Sequence, residues 1–352
     1  MSGDTMTVLL ARSGFMTKTI ADGKIVRGYN AGKFYRVRHA DVAGFPDMVR
    51  VLEKASGIPE AGIVRGELLP TADPENCRRL SNRAKWGDAV TFAPAARQWL
   101  GIDVDGYPEP PGLDFARDPE EGVEHVVAQL PPEFADTSFW WQATSGGGIK
   151  PGINVRLWFW CSRPISDAEA KGWLQHAPAD PALYNPVQPH YVAAPIIMSG
   201  PDPMARRQGV WQGLDDVVSV PDELPKIEAP EPVHVDVSLR GLSPDEQRRI
   251  AAAIKNSPVA YEIWTGERDY DDRSSRHFAF IGALLRGGIH EDAEDWAELI
   301  AFAVVKLDQK LGIDTSKATR PDYIGRTIGG VLARETAPKA DASGPLGREA
   351  AR

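Results

Sequence analysis

The spacing of apolar positions changes character along the chain. Through about residue 219 they fall in short runs, alternating or continuous, punctuated by glycine and proline, the pattern of strands with a few helices between them. Lys33–Arg38, Gly62–Gly66, Ser138–Ala143 and Asn154–Trp160 read as strands, and Gln98–Asp105 as a central one. Pro46–Ala55, Asp118–Gln129 and Asp167–His176 read as helices; Asp118 is the candidate cap of the second, with Pro119, Glu120 and Glu121 suited to its first turn. Val220–Ser238 carries prolines at 221, 225, 230 and 232 among acids, with little to bury, and reads as a semi-rigid linker. Beyond it, Ser243-Pro244-Asp245-Glu246 opens on a capping box, and the spacing is helical over Glu246–Asn256, Ser274–Arg286, Asp292–Leu311 and Pro321–Arg334. The expected fold class is α+β. A domain over 1–219, of mixed sheets flanked by helices, precedes a linker over 220–240, a small all-α bundle over 241–335 and a disordered tail over 336–352.

Composition narrows the function classes. A chain of 352 residues has room for two cores. Mean hydropathy is −0.31 and no run of about 18 apolar residues occurs, so no membrane span is expected. Met1–Ile20 lacks a basic start followed by an apolar block, so no signal peptide is expected either. Cys77 and Cys161 stand far apart without metal-ligand spacing and fit ordinary thiols in a reducing cytoplasm. The net charge of −9 speaks against non-specific coating of nucleic acid, but leaves room for a local basic groove.

Chemistry concentrates in a few places. In an extended strand Asp103 and Asp105 share one face while Ile102 and Val104 point to the core. Two carboxylates side by side repel unless a divalent cation lies between them, so the pair is a candidate Mg²⁺ or Mn²⁺ site; the competing reading is a strand running out into an acidic turn. Asp180 is the candidate third carboxylate, against its reading as a turn initiator before Pro181; Asp202 is a fallback among turn-formers. The segment Thr144-Ser145-Gly146-Gly147-Gly148-Ile149-Lys150 offers hydroxyls, uncovered backbone N–H groups and a cation, with Arg156 on the next strand, a set that suits phosphates or else a plain hairpin loop. Arg65 ends a strand, and Arg78, Arg79, Arg83 and Lys85 form a basic island, read either as a phosphate clamp or as a solvated loop. In the helical part Arg273, Lys317, Arg320, Tyr323, Arg326 and Thr327 set charge beside an aromatic ring, which suits a nucleic-acid strand or an internal salt-bridge network.

Taken together these parts resemble the archaeo-eukaryotic primase superfamily, in its primase–polymerase branch from plasmids, phages and integrated elements. Asp103 and Asp105 match its first motif; Thr144-Ser145 with the strand from Arg156 to Trp160 matches the second; Asp180, ahead of Gln188 and Tyr191, matches the third. Trp264-x-Gly266 through Arg273-Ser274 to Arg320-x-Asp322-Tyr323-x-x-Arg326-Thr327 resembles the helical primase C-terminal domain. The likeness spans about residues 60 to 334. It departs where the family's second motif carries a histidine; Arg156 stands there, able to hold a triphosphate but not to donate a proton near neutral pH.

The resemblance implies a template-directed primase–polymerase. Asp103, Asp105 and Asp180 would hold two divalent ions, Mg²⁺ or Mn²⁺. Ser145, Lys150, Arg156 and Arg65 would bind the incoming NTP or dNTP. Arg78, Arg79, Arg83, Arg273, Arg320, Tyr323 and Arg326 would contact a single-stranded DNA template. The helicase fused to larger relatives is missing, so a separate replicative helicase is an expected partner. Two alternatives stay open: a replication initiator or single-stranded-DNA-binding protein whose catalytic centre has decayed, and a metal-dependent nucleotide-sugar transferase, whose chemistry also uses Asp-x-Asp.

Overall fold

The computed structural model describes residues 3–81, 89–227, 235–268, 270, 273–289 and 295–336. Arg83 and Lys85, part of the expected linker, the expected helix start at Asp292 and the expected tail from 337 onward lie outside these residues. The protein mixes helices and sheets and divides into two compact units, Met1–Glu228 and Ala229–Arg352.

The first unit is built on two sheets. Strands β1 (Asp4–Ala11), β4 (Tyr35–Val42) and β5 (Ala61–Val64) form one, in the order β4-β1-β5, all antiparallel. Strands β8 (Arg97–Tyr107), β9 (Phe139–Ala143), β10 (Ile153–Ile165) and β12 (Gln208–Trp211) form the other, antiparallel in the order β12-β9-β10-β8. Two smaller sheets complete the unit. One pairs β11 (Ile196–Ser199) in parallel with β2 (Thr19–Ala21), itself antiparallel to β3 (Lys24–Arg27); the other pairs β6 (Glu67–Leu68) with β7 (Phe92–Ala93).

Alternation divides the four-stranded sheet into two cores. Leu100, Ile102, Val104, Trp141, Leu157 and Phe159 face helices α2 (Pro119–Val127) and α3 (Asp167–Trp173). On the other face Trp99, Trp140, Trp158 and Trp160 pack with helix α1 (Phe45–Ser56) and with Met6, Ala61 and Ile63 of the three-stranded sheet. Each large side chain so buried contributes about 1.5–3 kcal/mol, which makes this tryptophan layer the main tie between the sheets. Asp118 occupies the cap position of α2 without a side-chain hydrogen bond, whereas α3 starts on a full capping box between Ser166 and Glu169.

The second unit consists, among the described residues, of helices α4 (Pro244–Asn256), α5 (Pro258–Thr265), α6 (Arg273–Arg286), α7 (Trp296–Lys310) and α8 (Pro321–Thr336) around a core of Ile254, Ile263, Phe280, Leu284, Ile300, Val304, Leu307, Ile324 and Ile328. The expected capping box is present: the Ser243 hydroxyl accepts from the Glu246 N–H, and the Glu246 carboxylate accepts from the Ser243 N–H at 2.6 Å.

Candidate nucleotidyl-transfer site

Register lays a polar row across the tryptophan face. Gln208 pairs with Gln142, Gln142 with Arg156, and Arg156 with Asp103. Asp103 and Arg156 are therefore cross-strand neighbours, with Arg156 Nη2 2.8 Å from Asp103 Oδ1. The two side chains thus form a close, buried ion pair. Burial pushes the Asp103 carboxyl above its ordinary value, Arg156 pulls it down, and the nearby charges of Asp105 and Asp180 add to the upward shift.

The strand alternation that aligns Asp105 with Asp103 ends one residue earlier than the sequence suggests. Val104 pairs with Val155 and Tyr107 with Ile153, so β8 carries an extra residue at Asp105–Gly106 and forms a bulge. Gly106 sits at φ +67, a left-handed conformation that glycine takes without strain, and its N–H donates to Asn154 Oδ1 at 3.2 Å. Asp105 is exposed at this bend, at the end of the strand. Asp180 arrives from the loop after α3: its N–H donates to the Asp103 carbonyl at 2.9 Å. The expected turn role coexists with this placement, since Asp180 Oδ1 also accepts from the Ala182 N–H at 2.9 Å. Asp105 and Asp180 line one cleft of about 380 Å³ with Tyr107, Pro108 and Ala177–Ala179.

The other expected nucleotide-site residues separate into two groups. Lys150 is exposed and close enough to Lys18 to lower that residue's pKa. Ser145 is buried in the loop. The loop amides are largely turned inward. Gly146 N–H donates to Thr144 Oγ1, Gly147 N–H to the Thr144 carbonyl, and the Ile149 and Lys150 N–H groups to the Gly146 carbonyl. The glycines serve close packing instead: a Cβ on Gly147 would lie 3.1 Å from that of Ala143 and 3.3 Å from Met204 Sδ.

Arg65 corrects the expectation placed on it. It is fully buried; its guanidinium donates to Asp167 Oδ1 at 2.6 Å, to the Trp99 carbonyl at 3.0 Å and to the Ile165 carbonyl at 2.6 Å. It stitches β8, the end of β10 and α3 together, and its full burial keeps it out of a nucleotide's reach. Arg79 likewise turns inward, over the Tyr35 ring and onto the Val187 carbonyl at 2.5 Å, while Arg78 is half-buried beside it. Asp202, the fallback acid, is held by Arg207 at 2.6 Å and closes its own turn with the Met204 N–H.

Three residues at the site carry no signal in the sequence pattern. Lys18, just before β2, lies within the fields of Lys150, Asp105, Asp103 and Arg156; burial first, then Lys150, lowers its pKa, against the pull of the two aspartates. Tyr29, after β3, stacks on Tyr191 with ring centres 4.0 Å apart, and the Tyr191 carbonyl accepts from Arg156 Nη1. His190 is fully buried between Trp99 and Trp158, with both ring nitrogens lacking a hydrogen-bond partner. Burial, then Arg156 and Arg65, hold its pKa well below the ordinary histidine value, so the ring stays neutral. Gly101 makes room for it, since a Cβ there would stand 2.9 Å from His190 Nδ1.

In the helical unit the expected nucleic-acid residues gather near one end of α6 and α8. Tyr323 Oη lies 3.0 Å from His277 Nδ1, and His277 Nε2 lies 2.8 Å from Asp308 Oδ1, a fully buried pair. Lys317 Nζ stands over the Tyr323 ring at 5.6 Å and donates to Ser274 Oγ at 3.0 Å. Arg320 and Arg326 both pair with Asp322, at 3.3 and 3.4 Å, with their side chains largely exposed; Arg273 pairs with Asp314. An exposed basic face beside an aromatic and a set of local ion pairs are thus both present.

Whether divalent ions fit is a question about the donors. Asp105 and Asp180 open onto the cleft with carboxylate oxygens, which suit a hard cation, while Asp103 beside them is already paired with Arg156. Among the described residues no three such side chains are already gathered at chelating distance, so binding would draw the acids together. Comparison with protein-family models, with curated proteins and with solved structures finds no match for this chain.

Proposed function

We propose that the protein is a template-directed primase–polymerase that joins nucleotides on single-stranded DNA. The observation that carries this reading is one juxtaposition: Asp105 and Asp180, from two separate segments, line one cleft, Asp103 lies within the fields of both and pairs with Arg156, and Lys18 lies within the fields of Asp103, Asp105 and Lys150. Acids that hold cations beside cations that hold phosphates are what nucleotidyl transfer from a triphosphate needs. Divalent ions bound there would lower the pKa of the attacking hydroxyl and neutralise the charge developing on the leaving pyrophosphate. Asp105 and Asp180 would orient the ions from the cleft. Arg156, buried between Asp103 and the Tyr191 carbonyl, would position Asp103, and the exposed Lys150 would meet the triphosphate. The exposed Arg320 and Arg326 with Tyr323 would hold the template through phosphate contact and stacking. A separate helicase would supply single strands.

A second reading has one observation in its favour. The Asp103–Arg156 ion pair already neutralises an acid that the chemistry would use, as expected of a decayed centre that keeps single-stranded-DNA binding alone. Incubation with single-stranded DNA, Mg²⁺ or Mn²⁺ and labelled ribo- or deoxyribonucleotides separates the two. Metal-dependent short products support the primase–polymerase. Tight template binding with no incorporation under either metal supports the decayed centre.

A further inference from the structure

The N-terminal ribbon brings two side chains to the site from a segment that holds none of the site motifs. Its position is fixed by pairing remote in sequence: Ile196 N–H donates to the Lys18 carbonyl at 3.0 Å, and Thr17 Oγ1 donates to the Ala194 carbonyl at 2.9 Å. A second clasp sets Tyr29. The Phe15 N–H donates to Asn30 Oδ1 at 2.8 Å, and the Asn30 N–H returns to the Phe15 carbonyl at 3.3 Å. The result is a continuous chain of contacts. Lys18 Nζ lies 5.0 Å from the Tyr29 ring centre, Tyr29 stacks on Tyr191 at 4.0 Å and 14°, the Tyr191 carbonyl takes Arg156 Nη1, and Arg156 Nη2 meets Asp103.

Among the described residues, two of the cations around this chain of contacts stand outside the ion pairs. Arg156 is matched by Asp103, whereas among the described residues neither Lys18 nor Lys150 has an ion-pair partner. Asp103 and Asp105 offset part of the repulsion among Lys18, Lys150 and Arg156, and a bound polyanion would relieve the rest. Tyr29 keeps 39% of its surface exposed although Tyr191 backs it, so part of the stacked pair faces solvent.

We propose that Lys18 and Tyr29 are nucleotide-binding residues: Lys18 joins Lys150 on the phosphates of an incoming nucleoside triphosphate, and Tyr29, backed by Tyr191, forms the aromatic wall for its nucleoside part. This rests on the primase–polymerase reading of the site and extends it to a segment that the family likeness does not reach. The aromatic wall and the phosphate cations have separable signatures, because a nucleoside triphosphate uses both and inorganic tripolyphosphate only the cations.

The test is equilibrium binding to the full-length protein, by calorimetry in Mg²⁺ or Mn²⁺, of a non-hydrolysable nucleoside triphosphate and of tripolyphosphate. Lys18→Ala is expected to weaken both ligands about tenfold, with Lys18→Arg recovering most of the loss. Tyr29→Ala is expected to weaken the nucleotide by about fivefold or more and leave tripolyphosphate unchanged, with Tyr29→Phe close to wild type. Wild-type affinity in both alanine variants, with Lys150→Ala weakened, would overturn the inference and leave the site reading standing. No triphosphate binding by the wild-type protein would overturn both. If an alanine variant fails to fold, Lys18→Met and Tyr29→Leu, which keep most of the side-chain volume without the charge or the ring, carry the same expected losses, and wild-type affinity in them would overturn the inference.

Discussion

Arg65 and Arg156 show how little an arginine says before its neighbours are known. Both sit in apolar strand sequence, both are buried, and both resemble phosphate ligands in the primary structure. Pairing assigns them different work: Arg156 faces Asp103 across two strands, while Arg65 is enclosed by Asp167 and two carbonyls. Removing one member of a buried hydrogen-bonded charge pair leaves the rest unpaired and costs about 3–5 kcal/mol. Arg65→Ala is therefore expected to lose stability on that scale in urea unfolding. Arg65→Lys is expected to recover little of it, since one ammonium cannot reach three acceptors in the geometry of a guanidinium. A variant of wild-type stability that had lost only nucleotide affinity would return Arg65 to the site. Asp103 and Asp105 can be selected from sequence because acids within a strand's apolar alternation stand out, whereas Asp180, before Pro181, reads equally as a turn initiator. Lys18 and Tyr29 cannot, because only the parallel pairing of β11 with β2 carries them there.

At the level of elements, most of what the pattern predicts is present wherever one face of an element is apolar. Helix α1 and strand β9 lie where their runs begin and end to within one residue, while β10 begins as expected and continues past Trp160 to Ile165. Strand β1 escapes the pattern for the opposite reason: it is covered on both faces, Met6 toward the tryptophan layer and Leu9 and Ala11 toward Tyr35 and Val37, so it shows no alternation to find. The bulge at Asp105–Gly106 is also beyond reach, since glycine after a strand reads as a simple end. The capping box of α4 is legible from four residues, and it carries a pH signature. Arg240 and then the Ser243 N–H and hydroxyl hold Glu246 down to about 2, against an ordinary value of 4.5. A depressed carboxyl pKa contributes stability that is fully present above the unfolded value and is lost as pH falls toward the folded one. Wild-type protein is thus expected to lose more thermal stability than Glu246→Gln between pH 4.5 and about 2. The two should show parallel behaviour above about pH 5.5. Equal acid sensitivity of both proteins would remove this role for Glu246.

For the whole molecule, the division into a sheet unit and a helical unit gives the two halves of the proposed function their own cores. No helix among the described residues is long and apolar enough to cross a membrane. With a net charge of −9, the proposed binding of single-stranded DNA would depend on local basic faces, and its affinity should fall steeply with salt. Removing one phosphate-binding cation is expected to reduce the slope of log affinity against log salt by about 0.7. Arg320→Ala and Arg326→Ala should each do so, if their exposed guanidiniums trade Asp322 for phosphate. An unchanged slope would leave them as local ion pairs. The central claim, that the acids at the end of β8 drive nucleotide joining, is tested most directly at Asp105, which is exposed and can be altered without disturbing the core. The measurement is metal-dependent incorporation of labelled nucleotide on single-stranded DNA by wild type and by Asp105→Asn. Short products are expected from the wild type and a loss of at least about a hundredfold in the variant, with circular dichroism and DNA affinity unchanged. Equal incorporation by the two proteins would contradict the claim.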